Sequence, residues 1–296
     1  MNKLYNAVEK NDLETITALI DQEEFSHSIS EALLYAASYG HSNLIELFLA
    51  KGADVNTESI YGYTALMFAS VRGFFDATKT LLDHGAKVDF TNCLGITPLM
   101  LAAEDGRIRI CKLLLDRGAI INAKDNFGFT ALMYASRNGN TKTVTMLLDQ
   151  GSDIKAKNDF GESALIIAVD NNHTETISIL LDHHDDINTK DDNDETPLMI
   201  SIRNRNTKTS TLLLNRGANI NIRNNFGDTA LMIAKKYENK EYVDLILKYR
   251  GNNTQNDSYV NSYNDVKSFP QGFKSQLFHK DDDSKQESET TNRPSM

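Results

Sequence analysis

The stretch LLDHHDDINTKDDNDETPL, residues 180–198, holds the side chains of this sequence best suited to metal chemistry. His183 and His184 lie side by side among six aspartates. Imidazole nitrogens and carboxylate oxygens are common ligands of zinc and calcium. The composition of the stretch therefore raises the hypothesis of a divalent-metal site. Its aspartates are Asp182, Asp185, Asp186, Asp191, Asp192 and Asp194.

The spacing of these residues argues against that hypothesis. A calcium loop places its ligands around a central glycine and ends on a glutamate, an arrangement that this stretch does not have. Zinc needs about four converging ligands, whereas the neighbouring side chains of His183 and His184 at a helix exit point apart. Phosphate-binding loops, nucleophile elbows and zinc-hydrolase helices are not found in the sequence. We therefore predict no metal, no cofactor and no enzymatic activity.

The overall composition restricts the class of protein. The chain has 296 residues and a net charge of −10, which argues against binding to duplex nucleic acid. Two cysteines, Cys93 and Cys111, indicate a reducing compartment. We recognise neither a leader peptide nor an apolar run of about 18 residues that suggests a membrane span. We expect a cytoplasmic monomer that binds neither nucleic acid nor membranes.

A short phrase, such as YTALMFA or ITPLMLA, recurs along the chain and determines the predicted fold. Each copy contains a hydroxyl residue that predicts the N-cap of a short first helix. Paired leucines predict a second helix, and glycines in step with the period predict left-handed helix ends and turns. Together with an N-terminal half-match from Ala7, the pattern gives about eight repeats. The hydroxyl residues, each 33 after the last, are Thr64, Thr97, Thr130, Ser163, Thr196 and Thr229.

A period of 33 with the phrase T-x-L-x-x-A resembles the ankyrin repeat. The resemblance implies an all-α solenoid of helix-turn-helix repeats with β-turn fingers. We assign residues 1–30 to a divergent N-terminal capping repeat, 31–250 to the repeats, and 251–296 to a polar, largely disordered tail. Met67 and its equivalents replace the family's histidine in T-P-L-H, and we expect them to be apolar fillers between helices.

The resemblance also implies recognition of another protein on a concave surface, lined by the finger tips and the first helices. The early tips are aromatic or aliphatic, typical of interface anchors, and the later ones are acidic, which favours a partner with basic character. A competing interpretation is that the aromatic tips brace one another along the row. The adjoining helices contribute Arg72, Glu104, Asp105 and Arg137. The predicted tip residues are Ile60, Tyr61, Tyr63, Leu94, Ile96, Phe127, Phe129, Phe160, Glu162, Asp192, Glu195, Phe226 and Asp228.

A second function class stays open beside this one. The array could be a structural spacer whose C-terminal tail recruits the partner, through its one apolar island at residues 266–278. The abundance of Asn, Asp, Lys and Ile indicates an AT-rich genome. That composition favours a host-directed protein of an intracellular bacterium or large virus, with the host cytoplasm as its location.

The 33-residue period changes the interpretation of the opening stretch. Most of its acids occupy positions where other repeats also carry polar residues. The departures are His184 and Asp194, where other repeats have glycine, and Asp185, where most have alanine. Because both glycine positions are expected to be left-handed, we predict that residues 182–195 form the weakest joint of the array.

Overall fold

Each first helix starts at a repeated hydroxyl residue, because the hydroxyl oxygen accepts a backbone N–H that would otherwise have no partner. The structure is a computed structural model, which describes residues 2–20 and 28–253. In it, Oγ1 of Thr64 lies 3.4 Å from the backbone N of Met67. The same bond confirms the five other predicted caps, at Thr97, Thr130, Ser163, Thr196 and Thr229.

The described residues form sixteen helices, which follow one another as eight pairs. The first helices of the repeats are α1 Asn2–Glu9, α3 Ile29–Tyr39, α5 Ala65–Arg72, α7 Pro98–Glu104, α9 Ala131–Arg137, α11 Ala164–Asp170, α13 Pro197–Arg203 and α15 Ala230–Lys236. The second helices are α2 Leu13–Ile20, α4 Ser42–Ala50, α6 Phe75–Asp83, α8 Ile108–Asp116, α10 Thr141–Asp149, α12 Thr174–Asp182, α14 Thr207–Asn215 and α16 Lys240–Asn253. The predicted all-α solenoid is confirmed.

The helices pack in two layers. First helices contact the first helices of neighbouring repeats, and from α4 to α14 the second helices contact the second helices of neighbouring repeats. The core lies where the two helices of a repeat meet. Met67 is fully buried in this core, as expected for an apolar filler, and Met199 is 1% exposed. Met232, the equivalent residue of the last repeat, is 40% exposed, because no further repeat of the described residues covers it.

A finger, made of a six-residue arm and a five-residue tip, connects consecutive repeats from the second repeat onward. In the tip at 125–129, the buried Asp125 accepts the backbone N–H groups of Phe127 and Phe129 through Oδ1, both at 2.9 Å. Gly128 has a φ of 78°. A Cβ there would come within 3.0 Å of the Asp159 backbone N, so the turn requires glycine. Asn92, Asn158, Asp191 and Asn224 organise four of the other five tips as Asp125 does, and in the first tip the hydroxyl of Ser59 accepts the N–H of Tyr63.

Backbone hydrogen bonds connect each tip to the next. The N–H of Asp159 donates to the carbonyl of Phe127 at 3.0 Å, and this bond recurs along the whole series of fingers. The other pairs, written donor first, are Cys93 and Tyr61, Asn126 and Leu94, Asp192 and Phe160, and Asn225 and Asn193. The six tips therefore form one continuous edge.

The repeats belong to one compact unit, Met1–Gly251. The predicted tail, residues 251–296, lies outside the described residues from 254 onward, as does the apolar island at 266–278. The assigned domain boundaries stay a prediction. No helix in the described part of the chain has the length and apolar character needed to cross a bilayer.

Candidate functional site

A row of large apolar side chains lies exposed along the edge formed by the tips. These residues, which we call the finger row, are between 46% and 77% exposed. They share the position before the turn glycine, which directs the side chain away from the repeat. Asn193 interrupts the row in the fifth finger, and Ile60, 91% exposed, extends it at the first. The finger row consists of Tyr61, Leu94, Phe127, Phe160 and Phe226.

The tip residues that follow the turn point inward instead. Ile96 is 9% exposed and Glu195 is 7% exposed, which corrects the expectation that these two present a contact surface. Tyr63 and Phe129 are half-buried against their own first helices, with the Tyr63 ring centroid 5.5 Å from that of Phe68. These rings pack within their own repeat, and among the described residues no ring contact joins two tips, as the bracing interpretation would require.

Three of the four predicted acidic residues at the later tips have partners within the array, and two of these partners are cations. Glu162 accepts a hydrogen bond of 2.8 Å from the side chain of Asn158, and Asp228 pairs with Lys236 at 2.8 Å. Glu195 pairs with Arg203, and burial raises the pKa of the Glu195 carboxyl despite that cation. Asp192 remains exposed. The negative field at the later tips is therefore weaker than the sequence suggests.

The predicted residues on the first helices differ in their availability. Arg137 pairs with Glu104 at 2.6 Å, and its guanidinium lies 4.7 Å from the Tyr134 ring centroid. Asp105 lies 3.4 Å from Arg107. Arg72 is exposed, and its guanidinium has no hydrogen-bond or salt-bridge partner among the residues that the structure describes. Arg72 is therefore the charged group of this set most open to a partner.

Arg72 borders a groove of ≈ 580 Å³ between α3, α5 and the first finger, which we call the N-terminal groove. Its apolar walls include Tyr35, whose ring stacks on Tyr5 at 4.5 Å between centroids. The Tyr5 hydroxyl donates to Glu31 at 2.6 Å; burial and this carboxylate raise the pKa of Tyr5 to about 12. The groove is lined by Glu31, Leu34, Tyr35, Ser38, Glu58, Ser59, Ile60, Phe68 and Arg72.

The sequence interpretation missed Tyr35 and Phe68 as surface residues. Both lie on the turn of the first helix that faces the fingers, and the same position in later repeats is buried, as at Leu101 and Ile200. Periodicity therefore predicts a core residue at this position. The available signal was a change of type, since aromatic residues occupy this position in the second and third repeats and mostly aliphatic residues occupy it in the later ones.

The residues of the opening stretch mostly hold the array together. Asp191 organises its tip, Asp182 pairs with Arg216 at 2.7 Å, and Asn188 accepts a backbone hydrogen bond from the next finger arm. Among the described residues, no three His, Cys, Asp or Glu side chains form a group that could hold a metal ion. His184 and Asp194 have φ angles of 65° and 57°, which confirms the predicted left-handed conformation.

The two cysteines are far from equivalent. Cys111 is fully buried in α8, and this burial raises the pKa of its thiol to about 12, which keeps it protonated and unreactive near neutral pH. Cys93 is exposed in the second tip, where its backbone takes part in the bonds between fingers. Neither arrangement resembles an activated nucleophile with a neighbouring base.

Comparison with known families agrees with the geometry. The family described as ankyrin repeats matches the chain in three copies, at residues 4–92, 76–158 and 150–224. Comparison with curated proteins gives no match. The matched segments span most of the described residues and follow the repeated caps, fingers and helix pairs. The chain therefore belongs to the ankyrin-repeat family.

Proposed function

We propose that this protein binds another protein through the finger row and the N-terminal groove. Ankyrin repeats are generally protein–protein interaction modules. The observation that carries the proposal is the repeated exposure of a large apolar side chain at one position in five of the six fingers. Monomeric proteins rarely expose contiguous apolar surface without an interaction that uses it. Aromatic anchors of this kind contribute strongly to binding energy.

The spacing of the finger row indicates the shape of the partner surface. Consecutive tips are joined through their backbones, so they present apolar side chains at regular intervals along one edge. An elongated partner surface with apolar side chains at matching intervals fits this edge. The N-terminal groove suits one aromatic or aliphatic side chain, and the free guanidinium of Arg72 favours a neighbouring carboxylate or carbonyl. Asp159 and Asp192 favour basic groups of the partner at the fourth and fifth fingers.

Replacing Tyr61 and Phe127 together by alanine tests the proposal. Truncation of an interface anchor costs more than about 1 kcal/mol, so two truncations weaken binding by more than about tenfold. The measurement is affinity capture from cell lysate with immobilised protein, followed by titration of the captured partner. Circular dichroism of the variant checks that its helicity is unchanged.

The matched control is Leu13→Ala with Ile120→Ala. Leu13 and Ile120 are 46% and 60% exposed, close to the 49% of Phe127 and the 64% of Tyr61, but neither belongs to the finger row. Capture should be unchanged in this control. Retained affinity in the Tyr61→Ala, Phe127→Ala variant, or an equal loss in both pairs, would exclude the finger row as the interface.

Truncation after Asn253 distinguishes the alternative function, a spacer whose tail recruits the partner. Because α16 ends at Asn253, this truncation keeps all helices of the described residues. Capture by the truncated chain supports the finger row, and its loss supports recruitment by residues 254–296. The cytoplasmic location and the host-directed role expected from the sequence stay predictions, which the identity of the captured partner tests.

A further inference from the structure

A side-chain hydrogen bond couples one finger arm to the next at four joints of the array. In each, an Asn or Asp oxygen accepts the backbone N–H at the second position of the following arm, as Asn122 does from Asp153 at 2.8 Å. The other three pairs, acceptor first, are Asn56 and Lys87, Asp89 and Ile120, and Asn188 and Asn219. Between arms 152–157 and 185–190, the acceptor position is occupied by Lys155, which has no side-chain acceptor.

Asp185 provides the missing acceptor at that joint. Its Oδ1 accepts the backbone N–H of Asp186 at 2.8 Å, so the bond lies within one arm and no longer connects two. Asp185 occupies a position held by alanine in most other fingers. Its Oδ2 is buried and has no hydrogen-bond partner among the described residues. Ser152 is the equivalent residue of the preceding arm, and its buried hydroxyl also has no hydrogen-bond partner among the described residues.

A buried carboxylate with one unpartnered oxygen is costly when it is ionised. Burial, with a smaller contribution from Asp186, raises the pKa of Asp185 to about 7, although the Asp186 N–H and Lys155 act in the opposite direction. Lys155 lies in the preceding arm and Asp186 in the same arm. The other charged groups of the three arms are Asp153, Lys157, Lys190 and Arg223. The Lys157 ammonium donates to the Lys190 carbonyl at 2.7 Å, the Lys190 ammonium lies 3.3 Å from Asp194, and Arg223 donates to the Gly227 carbonyl. The titratable side chains of His183 and His184 directly precede Asp185, at the end of α12.

The backbone beside Asp185 is also unfavourable. His184 has a φ of 65°, which is a left-handed conformation. Five other repeats have glycine at this position. Two bonds found at other joints are kept at this one. The Lys157 ammonium donates to the Lys190 carbonyl, and the N–H of Asp192 donates to the carbonyl of Phe160 in the neighbouring tip. The joint between the two arms thus combines a lost connection, a strained residue and a buried titratable group.

We propose that the joint between arms 152–157 and 185–190 is a pH-sensitive hinge, closed when Asp185 carries a proton and opened when its carboxyl is ionised. In the open joint the carboxylate reaches water and has its ordinary pKa of 3.8. Because the closed joint binds the proton more tightly, closure is most favoured below that value. Its stability falls as the pH rises toward about 7.

Amide hydrogen exchange of the full chain at pH 6 and pH 8 tests this hinge, with intrinsic exchange rates divided out. The opening equilibrium of residues 185–190 should rise roughly tenfold between the two values, as expected for a pKa near 7 in the closed state alone. Asp185→Asn keeps the shape and the acceptor but cannot titrate, so its opening should not depend on pH. The matched control, Asp186→Asn, should keep the dependence.

A second variant keeps the hinge testable if Asp185→Asn fails to fold. Asp185→Ala introduces the residue that most other fingers have at this position, and it should also lose the pH dependence. A wild-type opening equilibrium that does not change between pH 6 and pH 8 would overturn the hinge. So would a change of the same size in wild type and in both Asp185 variants, because another group would then be responsible.

Discussion

At the residue scale, the array depends on backbone positions that only glycine occupies without strain. Non-glycine residues with positive φ are concentrated in the later repeats. A left-handed conformation costs a side-chain-bearing residue roughly 1 kcal/mol, and less for Asn and Asp. Between the second repeat and Asn253, the end of the described residues, five such residues occur, and all follow residue 171: Asn172, His184, Asp194, Arg205 and Glu238.

Replacing His184 and Asp194 by glycine should stabilise the protein. Each change removes up to roughly 1 kcal/mol of strain, while the exposed pair of Asp194 and Lys190, at 3.3 Å, contributes little. The double variant should therefore have a higher urea midpoint, measured by circular dichroism. An unchanged or lowered midpoint would contradict the assignment of strain to these two residues.

The reverse exchange is the control for this prediction. Gly151 has a φ of 90°, and a Cβ built on it has no heavy atom within 4 Å. Gly151→His introduces strain without a steric clash, so it should lower the free energy of unfolding by about 1 kcal/mol.

At the element scale, the finger arms act as connectors whose strength depends on one side-chain acceptor. An intramolecular hydrogen bond contributes about 0.5–1.5 kcal/mol, and a backbone N–H left without a partner costs more. Arm 152–157 lacks this acceptor because of Lys155, while arm 119–124 has it at Asn122. The two arms otherwise follow the same helix-to-finger path.

Exchanging the residue types at these positions should change stability in opposite directions. Asn122→Lys removes the bond to the Asp153 N–H and should lower the free energy of unfolding by about 1 kcal/mol. Lys155→Asn should raise it by a similar amount when introduced with Asp185→Ala, which frees the Asp186 N–H. Urea unfolding measures the free energy of unfolding of both variants. Asn122→Lys is compared with the wild type, and the Lys155→Asn, Asp185→Ala variant is compared with Asp185→Ala alone. No effect of Asn122→Lys would show that the arms are held by other contacts.

Much of this element-level structure was predictable from the sequence. Thr130 predicted the start of a helix and Gly128 predicted a turn. Both predictions rest on the local backbone requirements of a cap and of a left-handed turn, which recur every 33 residues. The inward position of Ile96 and the outward position of Tyr35 did not follow from the 33-residue period alone. The period shows which residues are equivalent, but not which of them the neighbouring helices and repeats cover. For Tyr35 the sequence signal was the change to an aromatic type.

At the scale of the whole molecule, the stability of a repeat array is approximately a sum of repeat and interface contributions. The strained residues after 171 and the missing arm connection at Lys155 lower these contributions in the sixth and seventh repeats. The third to fifth repeats have glycine at the corresponding left-handed positions. Unfolding is therefore expected to begin in the later part of the array.

Native-state hydrogen exchange should show this asymmetry. Amides of α11 to α14 should exchange faster than those of α5 to α10, because local opening needs less free energy where the interfaces are weaker. In the His184→Gly, Asp194→Gly variant, the difference in exchange rate between these two groups of helices should become smaller. Uniform protection from α5 to α14 would mean that the strain is compensated by packing elsewhere.

The exposed position of Met232 has a consequence in oxidation chemistry. Peroxide converts an accessible thioether to the polar sulfoxide, and burial slows that conversion. The equivalent residues Met67, Met100, Met133 and Met199 are buried between repeats, whereas Met232 is 40% exposed, with its sulfur 3.8 Å from an Arg223 nitrogen. Among these five methionines, Met232 is therefore expected to be oxidised first. A sulfoxide there disturbs less packing than one inside the array, so the last repeat can consume oxidant before the core is damaged.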